Sequence, residues 1–206
     1  MKIGKIELNS PAEVENDFVD LIYFQGCSRR CCYCFNPELR PKGDYQQHLT
    51  PKQIAQFLYN SFSSVVVLTG GEPLEQDINE LMELINILQF QKKKVLVETS
   101  MYHKNVFATA NHIMYCIKTW DVDEQALIEM QGKKNVTTVV ITDHPCFDFK
   151  GYIDALDYLD GTIYYRPAND MLISKQWANL YKLAKSKKIE LKRWKKICLT
   201  RKNSTK

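Results

Sequence analysis

Three cysteines within eight residues, Cys27, Cys31 and Cys34, have the type and spacing to hold a metal centre. Read as thiolates, the x3 and x2 gaps let one tight loop wrap three sulfurs around a face of a cubane iron–sulfur cluster. Such clusters normally take four protein ligands. Three leave one iron open for chemistry, as a catalytic zinc keeps one position free. A structural zinc knuckle is the alternative, completed by His48, Cys32, Cys116 or Cys146. Cys32 is the spare thiol by spacing and reads as packed or incidental. The total of seven cysteines is odd for a disulfide framework, and the clustering is too local to staple a chain of 206 residues.

A second constellation is Gly70-Gly71-Glu72-Pro73. It stands between an apolar run and an amphipathic stretch, so it reads as a strand-to-helix turn. Two glycines there let backbone approach a ligand, and Glu72 is placed to accept hydrogen bonds from a cation. For Gly-Gly alone an ordinary turn is the plainer reading. Thr99 and Ser100 end the next apolar run and Lys118 follows the one after. Arg166 comes after the last, where it meets a substrate carboxylate or phosphate or closes a structural salt bridge. His103, His112 and His144 show no metal spacing, and Asp143-His144-Pro145-Cys146 reads as a turn.

The elements that must position these residues follow from periodicity. Short β-branched runs recur at 19–25, 65–69, 95–99, 113–119, 136–142 and 162–165, each suited to a strand buried on both faces. Helical stretches separate them. The clearest is 77–91, with Leu81, Leu84, Ile85 and Leu88 on one face. Another opens at Thr50-Pro51-Lys52-Gln53, a capping box with proline at the first helical position. The alternation implies right-handed crossovers and a parallel α/β sheet, either an incomplete (β/α)6 barrel or an open doubly wound sheet. In both, the site belongs on the loops after the strand C-termini. The long loop from Gly26 to Leu49 carries four cysteines, and a loop of that length inside a compact domain points to function.

Charge is unevenly spread: residues 182–206 hold 11 Lys/Arg against one acid, while the whole chain carries a net +4. The reading is one domain over 1–181 and a basic tail or final helix over 182–206. Trp194 among Lys192, Arg193, Lys195 and Lys196 gives the tail a possible nucleic-acid role, against the plainer reading of a solvated terminus. Trp194, Ile197 and Leu199 offer a cover for the barrel's open side. With no apolar run long enough for a membrane span and no secretory leader, a soluble cytoplasmic protein is expected.

The CxxxCxxC loop after the first strand, Tyr33 before its last cysteine, and GGEP 36 residues beyond Cys34 together resemble the radical S-adenosylmethionine (SAM) superfamily. The resemblance implies a 4Fe-4S cluster on Cys27, Cys31 and Cys34 and an incomplete (β/α)6 barrel of radical SAM type. It also implies SAM chelating the open iron, with Tyr33 at the adenine, Gly70, Gly71, Glu72 and Pro73 at the amino group, and Thr99, Ser100 and Lys118 as further contacts. Lys118 matches one half of an Asp-x-Lys motif of activating enzymes, with Cys116 in the Asp position. Phe24-Gln25-Gly26-Cys27 and Tyr33-Cys34-Phe35-Asn36-Pro37-Glu38-Leu39 look most like activating enzymes of the anaerobic ribonucleotide reductase, although Phe35 replaces their His. That implies a glycyl-radical protein as partner and a flavodoxin or ferredoxin as low-potential donor, without membrane or nucleic acid. Two alternatives stand beside it: a small-molecule radical SAM enzyme similar to 7-carboxy-7-deazaguanine synthases, and a zinc-bearing nucleic-acid-binding module.

Overall fold

The computed structural model describes residues 1–11, 18–43, 47–142, 147–159, 162–167 and 174–193. Nine strands form one sheet: β1 (Lys2–Ser10), β2 (Val19–Phe24), β3 (Gln47–His48), β4 (Val65–Gly70), β5 (Lys94–Thr99), β6 (His112–Ile117), β7 (Val136–Thr142), β8 (Thr162–Pro167) and β9 (Glu190–Arg193). Among the described residues six α-helices connect them: α1 (Pro51–Leu58), α2 (Ile78–Phe90), α3 (Lys104–Thr109), α4 (Glu124–Met130), α5 (Phe149–Leu156) and α6 (Ser174–Ser186). Among the described residues no helix is long and apolar enough to cross a membrane.

The strand order is β3-β1-β2-β4-β5-β6-β7-β8-β9. From β4 onward each strand adds in parallel at the same edge, beginning beside β2. A doubly wound sheet reverses direction midway, so this order selects the singly wound, partial-barrel arrangement. The core confirms which face the helices cover. Ile22, Phe24, Val66, Leu68, Val95, Val97, Ile113 and Tyr115 pack with the buried faces of α1 to α5. Val19, Leu21, Val65, Val67, Leu96, Met114, Val139 and Ile141 form a separate cluster without helical members, which is the lumen. Successive side chains of a strand point to opposite faces, so one run of β-branched residues serves both clusters.

Local signals hold where they were strongest. Gln53 N donates to Thr50 Oγ1 at 3.3 Å and Thr50 N to Gln53 Oε1 at 2.9 Å, completing the capping box of α1. Asp77 caps α2, accepting from Asn79 N at 2.9 Å and Glu80 N at 3.0 Å. Three strands lie outside the six expected: antiparallel β1 and β3 at one end of the sheet, and β9 at the other. The lysines of β1 and β9 interrupt the apolar run that identifies a buried strand, and β3 is only two residues long. The boundary at 181/182 falls inside α6, because Leu180, Ala184, Ile189 and Leu191 are buried in the main core. Trp194, Ile197 and Leu199, and the turn at 143–146, lie outside the described residues.

Candidate functional site

At the C-terminal rim of the strands a cavity of about 160 Å³ is lined by Cys27, Cys31 and Cys34, by Gly70, Gly71 and Glu72, and by Thr99, Ser100 and Lys118. Nine of the residues singled out by type and spacing thus meet at one place. Tyr33 and Pro73 do not line it. Tyr33 packs against the lumen cluster, and Pro73 is buried in a 3₁₀ turn, Pro73–Glu75.

The cysteine loop is closed by its own backbone. Gly26 N donates to Leu39 O at 2.8 Å and Cys27 N to Arg40 O at 3.1 Å, with buried Leu39 in the short turn Pro37–Leu39. Gln25 pins the returning strand of the loop: its Nε2 donates to Glu38 O at 3.0 Å and Pro41 O at 2.9 Å. Glu75 accepts from Ser28 N at 2.6 Å and pairs with Lys42 at 2.6 Å. Arg29 carries the loop across the rim, pairing with Asp121 and donating to Ser100 O at 3.4 Å. None of these roles shows in residue type, since each depends on where the loop returns.

The glycines have a different use from the one their sequence suggests. A Cβ on Gly71 would sit 2.3 Å from Gly26 O, and one on Gly70, whose φ is +99°, would sit 2.7 Å from Phe24 N. The space a Cβ would need is taken by the chain of β2 and the start of the cysteine loop, while both glycines also line the cavity. Gly71 N donates to Phe24 O at 2.8 Å and Glu72 N to Gly26 O at 2.9 Å. Close backbone approach therefore locks the two motifs together.

Glu72 is 3% exposed and its carboxylate is already engaged. It accepts from Thr99 Oγ1, from Ser100 N and Oγ at 2.9 Å each, and from Leu74 N at 3.2 Å. Glu72 thereby fixes the end of β5 against the turn after β4 while still lining the cavity. Inward positions of the strands supply residues the sequence did not single out, namely Thr69 and Glu98, joined at 2.7 Å, and bring Cys116 beside Lys118 as their spacing in the sequence implied. Lys118 Nζ lies 3.2 Å from Cys116 Sγ and 3.0 Å from Tyr33 Oη. Burial alone would lower its pKa, but Cys116, Tyr33 and Cys31 outweigh that and raise it, keeping Lys118 protonated. Arg166 forms no salt bridge among the described residues, and its guanidinium lies 4.9 Å from the centre of the Phe35 ring.

Cys27, Cys31, Cys34 and Cys116 are free, whereas Cys32 is disulfide-bonded. Burial pushes the Cys27 thiol up to about 11, with Glu72, Glu75 and Cys31 adding to the rise. Ligation there must release a proton. Among the described residues no three His, Cys, Asp or Glu side chains converge on a single-ion position. Three free thiols spread along one cavity wall fit a cubane, whose ligands bind separate irons, better than a single zinc.

The family described as a 4Fe-4S single cluster domain matches residues 18–137. The 7-carboxy-7-deazaguanine synthase of Clostridium acetobutylicum is 35% identical over 80 residues, which are 38% of this chain and 35% of that protein. The match therefore spans about a third of the relative's length. In fold, QueE from Escherichia coli aligns with a TM-score of 0.63 at 16% identity, covering 94% of this chain and 93% of that one. Streptococcus suis SuiB bound to its precursor peptide SuiA aligns with a TM-score of 0.61 at 15% identity, over 91% of this chain and 50% of that chain.

Proposed function

The chain belongs to the 4Fe-4S single cluster domain family, and we propose on that premise that it is a radical SAM enzyme acting on a small molecule, in the manner of 7-carboxy-7-deazaguanine synthases. The observation that carries the reading is the single cavity in which three free cysteines, the Gly70–Glu72 turn and the ends of β5 and β6 meet above an apolar lumen. The synthase match and the end-to-end fold likeness to QueE support the small-molecule branch. The residues that resemble activating enzymes have a local explanation: Gln25, Gly26, Glu38 and Leu39 close the cysteine loop on itself. A shared loop fold accounts for them without a shared protein partner.

In this reading Cys27, Cys31 and Cys34 would hold the cluster beside the SAM site. A cluster bound there would supply the low-potential electron for reductive cleavage of SAM and so the means of hydrogen-atom abstraction from the substrate. The chain's own residues do the rest. Glu72 holds Thr99 and Ser100 in place beside the Gly70-Gly71 turn, so that backbone and hydroxyl groups meet the methionyl end of SAM. Lys118 and Tyr33 brace the far wall, and Met114, Val139 and Ile141 exclude water from beneath. A flavodoxin or ferredoxin is the electron donor in this proposal.

The test is anaerobic reconstitution with iron and sulfide, reduction, and addition of SAM with small-molecule extract or with an anaerobic ribonucleotide reductase. Deoxyadenosine whose yield rises with the extract, without a protein radical in the EPR spectrum, is the expected result. A glycyl-radical doublet on the reductase would move the assignment to activation. Zinc in the purified protein and no SAM cleavage would end both readings.

A further inference from the structure

Cys116 is a nucleophile that the proposed chemistry leaves unused. It is free and half-buried, and it lines the main cavity from β6, apart from the cysteine loop. Strand alternation puts Lys118, two residues on, at the same wall. Its Nζ donates to Cys116 Sγ at 3.2 Å and to Tyr33 Oη at 3.0 Å. The phenol thus holds the ammonium beside the sulfur, and among the described residues the third N–H of that ammonium has no partner. Cys27, also free and half-buried on the same cavity, has the carboxylates of Glu72 and Glu75 for neighbours instead. The two thiols therefore have charges of opposite sign beside them.

An ammonium within hydrogen-bond reach of a sulfur favours the nucleophilic thiolate, the form that attacks peroxides. A hydroperoxide is a small neutral oxidant, and a cavity of about 160 Å³ admits it. We propose that Cys116 is a hydroperoxide-reactive modification site, with Lys118 as its positioning residue. In the step, the Cys116 thiolate attacks one oxygen of hydrogen peroxide, so that an S–O bond forms and the O–O bond breaks. Sulfur is oxidised by two electrons, which reduce the peroxide. The proton of the attacked oxygen passes to the departing hydroxide, which leaves as water. Lys118 stays an ammonium throughout, paired with the thiolate before the step and with the sulfenate after it. Oxidation thus adds one oxygen atom to the cavity wall and engages Lys118, and a thiol reductant reverses it. Neither the cluster nor SAM takes part, so the site stands apart from the enzyme reading.

The test treats the full chain, metal-free and reduced, with limiting hydrogen peroxide and a dimedone trap under anaerobic conditions, and maps the cysteines by mass spectrometry. Trapped sulfenic acid at Cys116 and disulfides formed from it both count as oxidation there. The expected result is oxidation of Cys116 about tenfold or more faster than of Cys27, returned to the thiol by dithiothreitol when the trap is left out. Lys118→Gln should abolish that preference, and Lys118→Arg, which keeps the charge, should restore it. Equal rates at Cys116 and Cys27 in the wild-type chain overturn the site, and that comparison needs no variant. An undiminished preference in Lys118→Gln overturns the role of the ammonium and leaves cavity access as the cause. Oxidation that dithiothreitol fails to reverse overturns the sulfenate and places Cys116 at the sulfinic stage.

Discussion

Cys31 and Cys32 are neighbours with opposite circumstances. Cys31 is free on the cavity wall, whereas Cys32 is exposed and disulfide-bonded. Replacing Cys27, Cys31 or Cys34 by Ala should each drop the reconstituted protein well below about four irons per chain and abolish SAM cleavage, while Cys32→Ala keeps both. Iron retention in Cys31→Ala with loss in Cys32→Ala would reverse the ligand assignment. Glu72 offers a second contrast. Its type and its place in GGEP were legible, but not that Thr99 and Ser100 would be its partners, because hydrogen bonds across 27 and 28 residues have no sequence period. Glu72→Ala leaves those buried donors unmatched and should cost about 2–4 kcal/mol, read as a lower urea midpoint of the apo-protein. A shift within about 0.5 kcal/mol would show that the carboxylate is dispensable for the rim.

The strands carry the clearest limit on what sequence reveals. Val65-Val66-Val67-Leu68 is buried on both faces, so its pattern marks a strand yet not which face looks into the lumen. Had that face been known, the two-residue step from Val67 to Thr69, Leu96 to Glu98, and Cys116 to Lys118 would have pointed to the rest of the cavity wall. Helix α2, with one buried face, was read almost to the residue. Strand β6 also opens on a titrating group. Burial lowers the pKa of His112, whose Nε2 lies 2.9 Å from Thr137 Oγ1. A depressed folded pKa means that the unfolded chain binds the proton more readily. The contribution is therefore complete above the unfolded value of 6.5 and is lost as pH falls through the folded one. The apo-protein should lose urea resistance between about pH 7 and pH 5, and His112→Gln should flatten that slope. Parallel pH profiles for the two proteins would place the acid sensitivity elsewhere.

At the scale of the molecule, the choice between a barrel and a doubly wound sheet stayed open in the sequence because both use the same β–α alternation. Strand order, a matter of long-range pairing, decided it. The order also sets where rigidity lies. Strands β2, β4, β5 and β6 are paired on both sides, and the two ends of the cysteine loop are tied by Gly26 N to Leu39 O and Glu72 N to Gly26 O. Between those anchors the backbone bond from Cys34 N to Cys31 O, at 3.2 Å, is a local turn. Cluster assembly should therefore tighten a preformed rim instead of folding the domain. In hydrogen exchange, amides of residues 28–36 should exchange quickly in the apo-protein and slow by about tenfold or more on reconstitution, while those of β4 to β6 stay equally slow in both. Exchange that slows across the whole sheet would mean that the cluster completes the fold, and unchanged exchange in 28–36 would mean that metal binds elsewhere.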